Sequence, residues 1–125
     1  MNWRKILIGV LLFATVVEFL FPLGGFLMPE RVLELFKVGS SPDTLFMAFV
    51  ASWLLLFVAL VCALTVWLVK QNVRAGWYLS FTLGYWWVGI GVGLAVVYQR
   101  YDNLVLDALK GLIIAVSAHK SLPAA

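Results

Sequence analysis

Residues 74–98 read RAGWYLSFTLGYWWVGIGVGLAVVY, and the fold turns on this stretch. It is uncharged from Gly76 through Tyr98. At ~1.5 Å of rise per residue, a helix of that length crosses a ~30 Å hydrocarbon core. Gly76, Ser80 and Gly84 recur every fourth residue, and Gly91 and Ala95 continue that face at ~100° per residue. Thr82, Trp86, Gly89 and Gly93 fall on the opposite face. Small residues let the backbones of membrane helices approach closely. Two such seams predict a helix placed between partners.

Working outward, the composition fixes the solvent. Of 125 residues, 64% are hydrophobic and 12% charged, and the mean hydropathy is +1.03. A soluble core cannot absorb that much apolar surface, so the chain is expected to dissolve in lipid as a single domain over residues 1–125. The net charge of +3 is spread thinly. Capture of nucleic acid requires a basic patch, so that partner is excluded. Cys62 stands alone in an apolar run, which suits a small packed residue and permits no internal disulfide.

Taken in order, the sequence predicts four membrane spans, at about 6–27, 44–69, 76–98 and 104–118. Arg4 and Lys5 precede the apolar run Ile6 to Val17, as in a signal peptide, but no A-x-A-like site follows. A retained first span is expected, with Pro22 and Gly24-Gly25 kinking or ending it. In PERVLELFKV, residues 29–38, Val32, Leu33, Leu35 and Phe36 alternate with Arg31, Glu34 and Lys37, which predicts a short helix in the headgroup region. Ser41-Pro42-Asp43 is a helix start. The fold class expected is all-α: an integral membrane four-helix bundle with an amphipathic interfacial helix between spans one and two.

Orientation follows the Lys/Arg distribution. Arg4, Lys5, Lys70, Arg74 and Lys120 fall on one side, and Arg31, Lys37 and Arg100 on the other. The excess predicts that both termini are cytoplasmic, and the membrane expected is a bacterial inner membrane. Trp3, Trp67, Trp77 and Tyr78 on the inner side, with Tyr98 and Tyr101 on the outer, fit interfacial belts.

Three ionisable residues fall inside the spans: Glu18, Asp107 and Lys110. Charge in hydrocarbon is costly, so each is a candidate for ligand or proton binding as well as for a structural lock. By helix rise, Glu18 lies ~21 Å above Arg4 and Asp107 ~20 Å above Lys120, so their depths match. Asp107 and Lys110, three apart, share a helix face with Asn103, Ile114 and Ser117. Tyr85, Trp86, Trp87 and Trp53 lie at mid-depth, where indole N–H and phenol O–H groups need partners. They are candidates for packing against the glycine seams Gly76, Ser80, Gly84, Gly89, Gly91 and Gly93, or for lining a lipophile cavity. One Cys and one His supply neither a zinc site nor paired haem ligands, so no metal and no cofactor are expected. GIGVG lies within a span and signifies helix contact, not nucleotide binding.

The basic start, the glycine-ended first span and the segment MPERVLELFKVGSSPD resemble the BphX-like and DoxX-like four-helix membrane proteins of bacteria. That resemblance implies the fold more than a function. The first-span carboxylate Glu18, the GIGVG helix and the QRYDN turn before the last span are similar to the small multidrug resistance family. This second resemblance implies that Glu18 binds protons and cationic substrate in turn. Against it, the first connection here is longer and amphipathic, and Lys110 is placed to neutralise a carboxylate. The functional expectation is a small, non-enzymatic accessory, scaffold or lipophile-binding membrane protein. The alternative is a proton-coupled exporter of hydrophobic cations. Expected partners are the lipid bilayer, a lipophilic small molecule and, through Gly89 and Gly93, a second copy or a larger membrane complex.

Overall fold

The computed structural model describes residues 1–124, and the regular structure of the described residues is helical throughout. The helices are α1 (Trp3–Leu27), α2 (Pro29–Leu35), α3 (Pro42–Lys70) and α4 (Ala75–Tyr98), then a π-helical segment Leu104–Leu109 that runs into α5 (Lys110–Ser121). Three of them, α1, α3 and α4, are long and apolar enough to cross a membrane. They start slightly before the predicted spans, because their first turns are built from residues that an apolar window passes over. At α3 the Thr44 N–H donates to Ser41 Oγ at 3.1 Å, and the Ser41 N–H donates to Thr44 Oγ1 at 2.8 Å. This is a reciprocal cap with threonine in the returning position. Pro22 lies inside α1 and does not end it; the helix stops at Leu27, just past the glycine pair.

The predicted fourth span is composite. Its first six residues are the π-helical segment and its α-helical part is the 12-residue α5. Asp107 and Lys110 sit in this first half, so the segment is less apolar than the other three.

The chain divides into two compact units, residues 1–13 with 62–125, and residues 14–61. In unit one α4 packs against both the π-helical segment and α5. The packing face of α4 is made of Gly76, Trp77, Ser80, Leu83, Gly84, Trp87, Gly91 and Ala95, all buried. At the crossing with α5 two glycines face each other. A Cβ on Gly84 would lie 2.9 Å from the Gly111 carbonyl oxygen, and one on Gly111 would collide with the carbonyl oxygen of Gly84. Gly91 is equally tight, since its Cβ would meet Ala108 N and Asn103 O at 2.7 Å. Arg4 closes the end of α3: its Nη2 donates to the carbonyls of Val69 and Lys70, both at 3.1 Å. Cations at a helix C-terminus satisfy carbonyls left without intrahelical donors.

In unit two, α2 and the first half of α3 pack against the C-terminal part of α1. Gly24 leaves space for Val32, whose Cγ2 would be 3.0 Å from an added Cβ, and Gly25 does the same for Ser52. Phe26 meets Phe49 and Trp53 edge-on, and Phe21 pairs with Phe36 at 5.6 Å. α2 ends in a Schellman motif, with Val38 N–H donating to Leu33 O at 2.9 Å and Lys37 N–H to Glu34 O at 3.0 Å.

Candidate functional site

The charged cluster of unit one is assembled by the helix that carries it. Asn103 Nδ2 donates to Asp107 Oδ2 at 2.7 Å, one turn away. Asp107 Oδ1 lies 3.6 Å from Lys110 Nζ, an ion pair beyond hydrogen-bond length. On its other side, Lys110 Nζ stands 4.1 Å from the centre of the Trp87 ring. Lys110 is only 6% exposed. An ammonium so buried is held by an opposite charge and by the negative face of an aromatic ring, and here it has both. The backbone explains the placement. Gly91 lets the chain at Asn103 and Ala108 approach α4 closely, and the π-helical segment covers that same stretch. π-helical turns re-aim side chains and recur at functional sites. The result is a buried group of donors and acceptors among apolar helices.

Beside this cluster runs a groove of about 360 Å³, lined by Gly9, Val10 and Phe13 of α1 and by Val105, Leu106, Leu109, Lys110 and Ile113. Unit two has its own groove, about 350 Å³, under α2. Phe21, Val32, Leu33, Phe36 and Val38 form one side, and Thr44, Met47, Ala48, Ala51, Ser52 and Leu55 the other. The Ser52 hydroxyl is turned back onto the Ala48 carbonyl at 2.8 Å, so the lining is apolar in effect. A neighbouring groove of about 320 Å³ shares Phe21, Val32 and Phe36 with it.

Of the candidate residues, Asp107 and Lys110 come together. Glu18 is buried at 4% exposure and belongs to unit two. Trp53, also in unit two, stacks edge-on with Phe26 and Phe49 and is 56% exposed. Tyr85 and Trp86 are exposed on α4, and the three grooves are lined by other residues. The Tyr85 hydroxyl is 2.6 Å from His119 Nε2, and the His119 ring stacks on Phe81 at 4.3 Å. The outward pair of seam glycines, Gly89 and Gly93, meets open space, whereas Gly76, Gly84 and Gly91 meet backbone.

Trp77 is fully buried, and its Nε1–H donates to Ser121 Oγ at 3.0 Å. Trp87, one of the mid-depth aromatics of α4, is buried on its packing face. Its signal was spacing: three residues after Gly84 and four before Gly91, it belongs to the packed face. Comparison with protein-family models, with curated proteins and with solved structures finds no match.

Proposed function

We propose that this chain is a small integral membrane protein that binds a lipophile without chemically altering it. The groove under α2 carries that reading: about 350 Å³ of apolar space bordered by an amphipathic helix. Such concave apolar sites bury most of a small ligand's surface. The setting agrees. Phe46, Phe57, Leu54, Val96 and Val97 on the two long helices α3 and α4 are all more than 60% exposed. An outward apolar surface of this kind suits lipid. In this reading the composite last segment is the fourth span of a four-helix bundle in a bacterial inner membrane, with both termini in the cytoplasm.

Native mass spectrometry of the detergent-extracted protein tests it. The wild type is expected to retain an apolar adduct, and Ala51→Trp, which fills the groove from an exposed position, is expected to lose it. A bare wild type, or an adduct that survives in Ala51→Trp, rejects the groove as the site.

The second reading, a proton-coupled exporter of hydrophobic cations, is favoured by one observation, the burial of the Glu18 carboxylate within an apolar helix. In proteoliposomes a gradient of a lipophilic cation would then drive proton movement that Glu18→Gln abolishes. Proton movement unchanged by Glu18→Gln would sink this alternative.

A further inference from the structure

Four helix ends are tied together at one end of unit one. Arg4, in the first turn of α1, grips the Val69 and Lys70 carbonyls where α3 stops. Arg74, at the start of α4, donates from Nη1 to the Pro123 carbonyl just past α5, at 3.1 Å. The Trp77 to Ser121 hydrogen bond pins the same two ends. Arg4, Lys5, Lys70, Arg74 and Lys120 are therefore gathered here. The acidic side chains of unit one, Asp102 and Asp107, belong instead to the turn after α4 and to the π-helical segment. The arginines spend their donors on carbonyls and, from Arg74 Nε, on the Tyr78 hydroxyl, so neither positive charge is cancelled. The ammonium groups of Lys5, Lys70 and Lys120 are exposed, with neither an ion pair nor a hydrogen bond among the described residues. Like charges held together without a carboxylate repel one another, and an anion from outside relieves that repulsion.

We infer that this end of unit one selects anionic phospholipid, with Lys5, Lys70 and Lys120 meeting the headgroup. A zwitterionic headgroup brings a cation with each phosphate and leaves the excess charge untouched. A free anion would answer the charge alone, whereas a lipid also matches the surroundings. Trp67 stands three residues before Lys70 at 57% exposure, and Tyr78 four residues after Arg74 at 54%. Rings with an apolar body and a polar tip favour headgroup depth, which is where basic residues beside membrane helices attract anionic lipid. The inference rests on the helices being lipid-embedded, as proposed above, but not on the groove under α2.

Lipid competition tests it. The full-length protein, delipidated in uncharged alkyl maltoside, is mixed with equal amounts of phosphatidylglycerol and phosphatidylcholine of the same chains, and bound lipids are counted by native mass spectrometry. Phosphatidylglycerol adducts should exceed phosphatidylcholine adducts about fivefold, the effect of one basic residue near an anionic surface. The triple variant Lys5→Gln, Lys70→Gln, Lys120→Gln should bring the ratio to about one. The same three positions changed to arginine should keep the preference. These side chains are exposed and without partners among the described residues, so the melting temperature should stay at the wild-type value in both variants.

Arg31→Gln with Lys37→Gln, which removes exposed positive charge from unit two, is the control and should leave the ratio as it was. Equal adducts in the wild type would leave the basic residues with no role in choosing lipid and overturn the inference. A preference that survives the glutamine triple would place the site elsewhere, and one lost equally in the control would reduce it to the charge of the whole chain. Loss of the preference on adding excess glycerol phosphate would assign a free anion in place of a lipid. A protein that requires detergent yet shows no preference removes this site alone, whereas one that is monomeric and soluble without detergent removes the membrane reading as well.

Discussion

Lys37, Asn72 and Gln99 adopt left-handed backbone, with φ of 58°, 59° and 53°, and each stands just beyond the end of a helix. An L-residue with a Cβ bears roughly 1–2 kcal/mol in that conformation, and asparagine less than most. Lys37→Gly should therefore stabilise the protein by about 1 kcal/mol, read as a rise in the melting temperature of the detergent-solubilised form. A fall would mean that the lysine side chain contributes something the backbone geometry does not show. Ser117 offers the opposite kind of test. Its Oγ is buried and has no hydrogen-bond partner among the described residues. Ser117→Ala removes that unmet demand and should stabilise by about 1 kcal/mol; destabilisation would show that the hydroxyl is satisfied in solution. These helix ends were hard to read in advance. Gly39 marks the chain two residues past Lys37, so the usual glycine signal pointed just beyond the turn.

Among the elements, the crossing of α4 with α5 is the least forgiving. Gly84 and Gly111 meet backbone to backbone, so a side chain on either must push the helices apart. Gly84→Val is predicted to destabilise by about 3 kcal/mol or more, whereas Gly89→Ala, facing open space, should be neutral or stabilising by up to about 1 kcal/mol. Thermal denaturation of the two variants side by side decides the matter: equal melting temperatures would refute the crossing. The face of α4 was legible because its small residues repeat at helical spacing. The closeness of Asp107 to Lys110 was legible for the same reason, since residues three apart share a face. Nothing local announced the π-helical segment, whose residues LVLDAL read as ordinary helix. Without it, the approach of Trp87 to Lys110 was out of reach, because that contact depends on how two helices cross.

For the whole molecule, the apolar runs were long enough to make the helical class readable from composition and length alone, and three helices of that kind stand among the described residues. Depth along a helix can be counted from sequence, but the azimuth at which one helix meets another cannot. Topology is accessible to experiment. A reporter active only after export, fused after Lys120, should stay silent, and one fused after Lys37 should be active; the reverse pattern would invert the orientation. The order of synthesis has a consequence too. Unit two is one continuous segment, whereas unit one joins the first residues of the chain to its second half. On the ribosome, the opening turn of α1 emerges long before the carbonyls of Val69 and Lys70 that Arg4 grips. The N-terminal clasp can therefore close only after α3 has been translated to its end, which makes it a late step in biogenesis and leaves any chain stopped earlier with its first arginine still waiting.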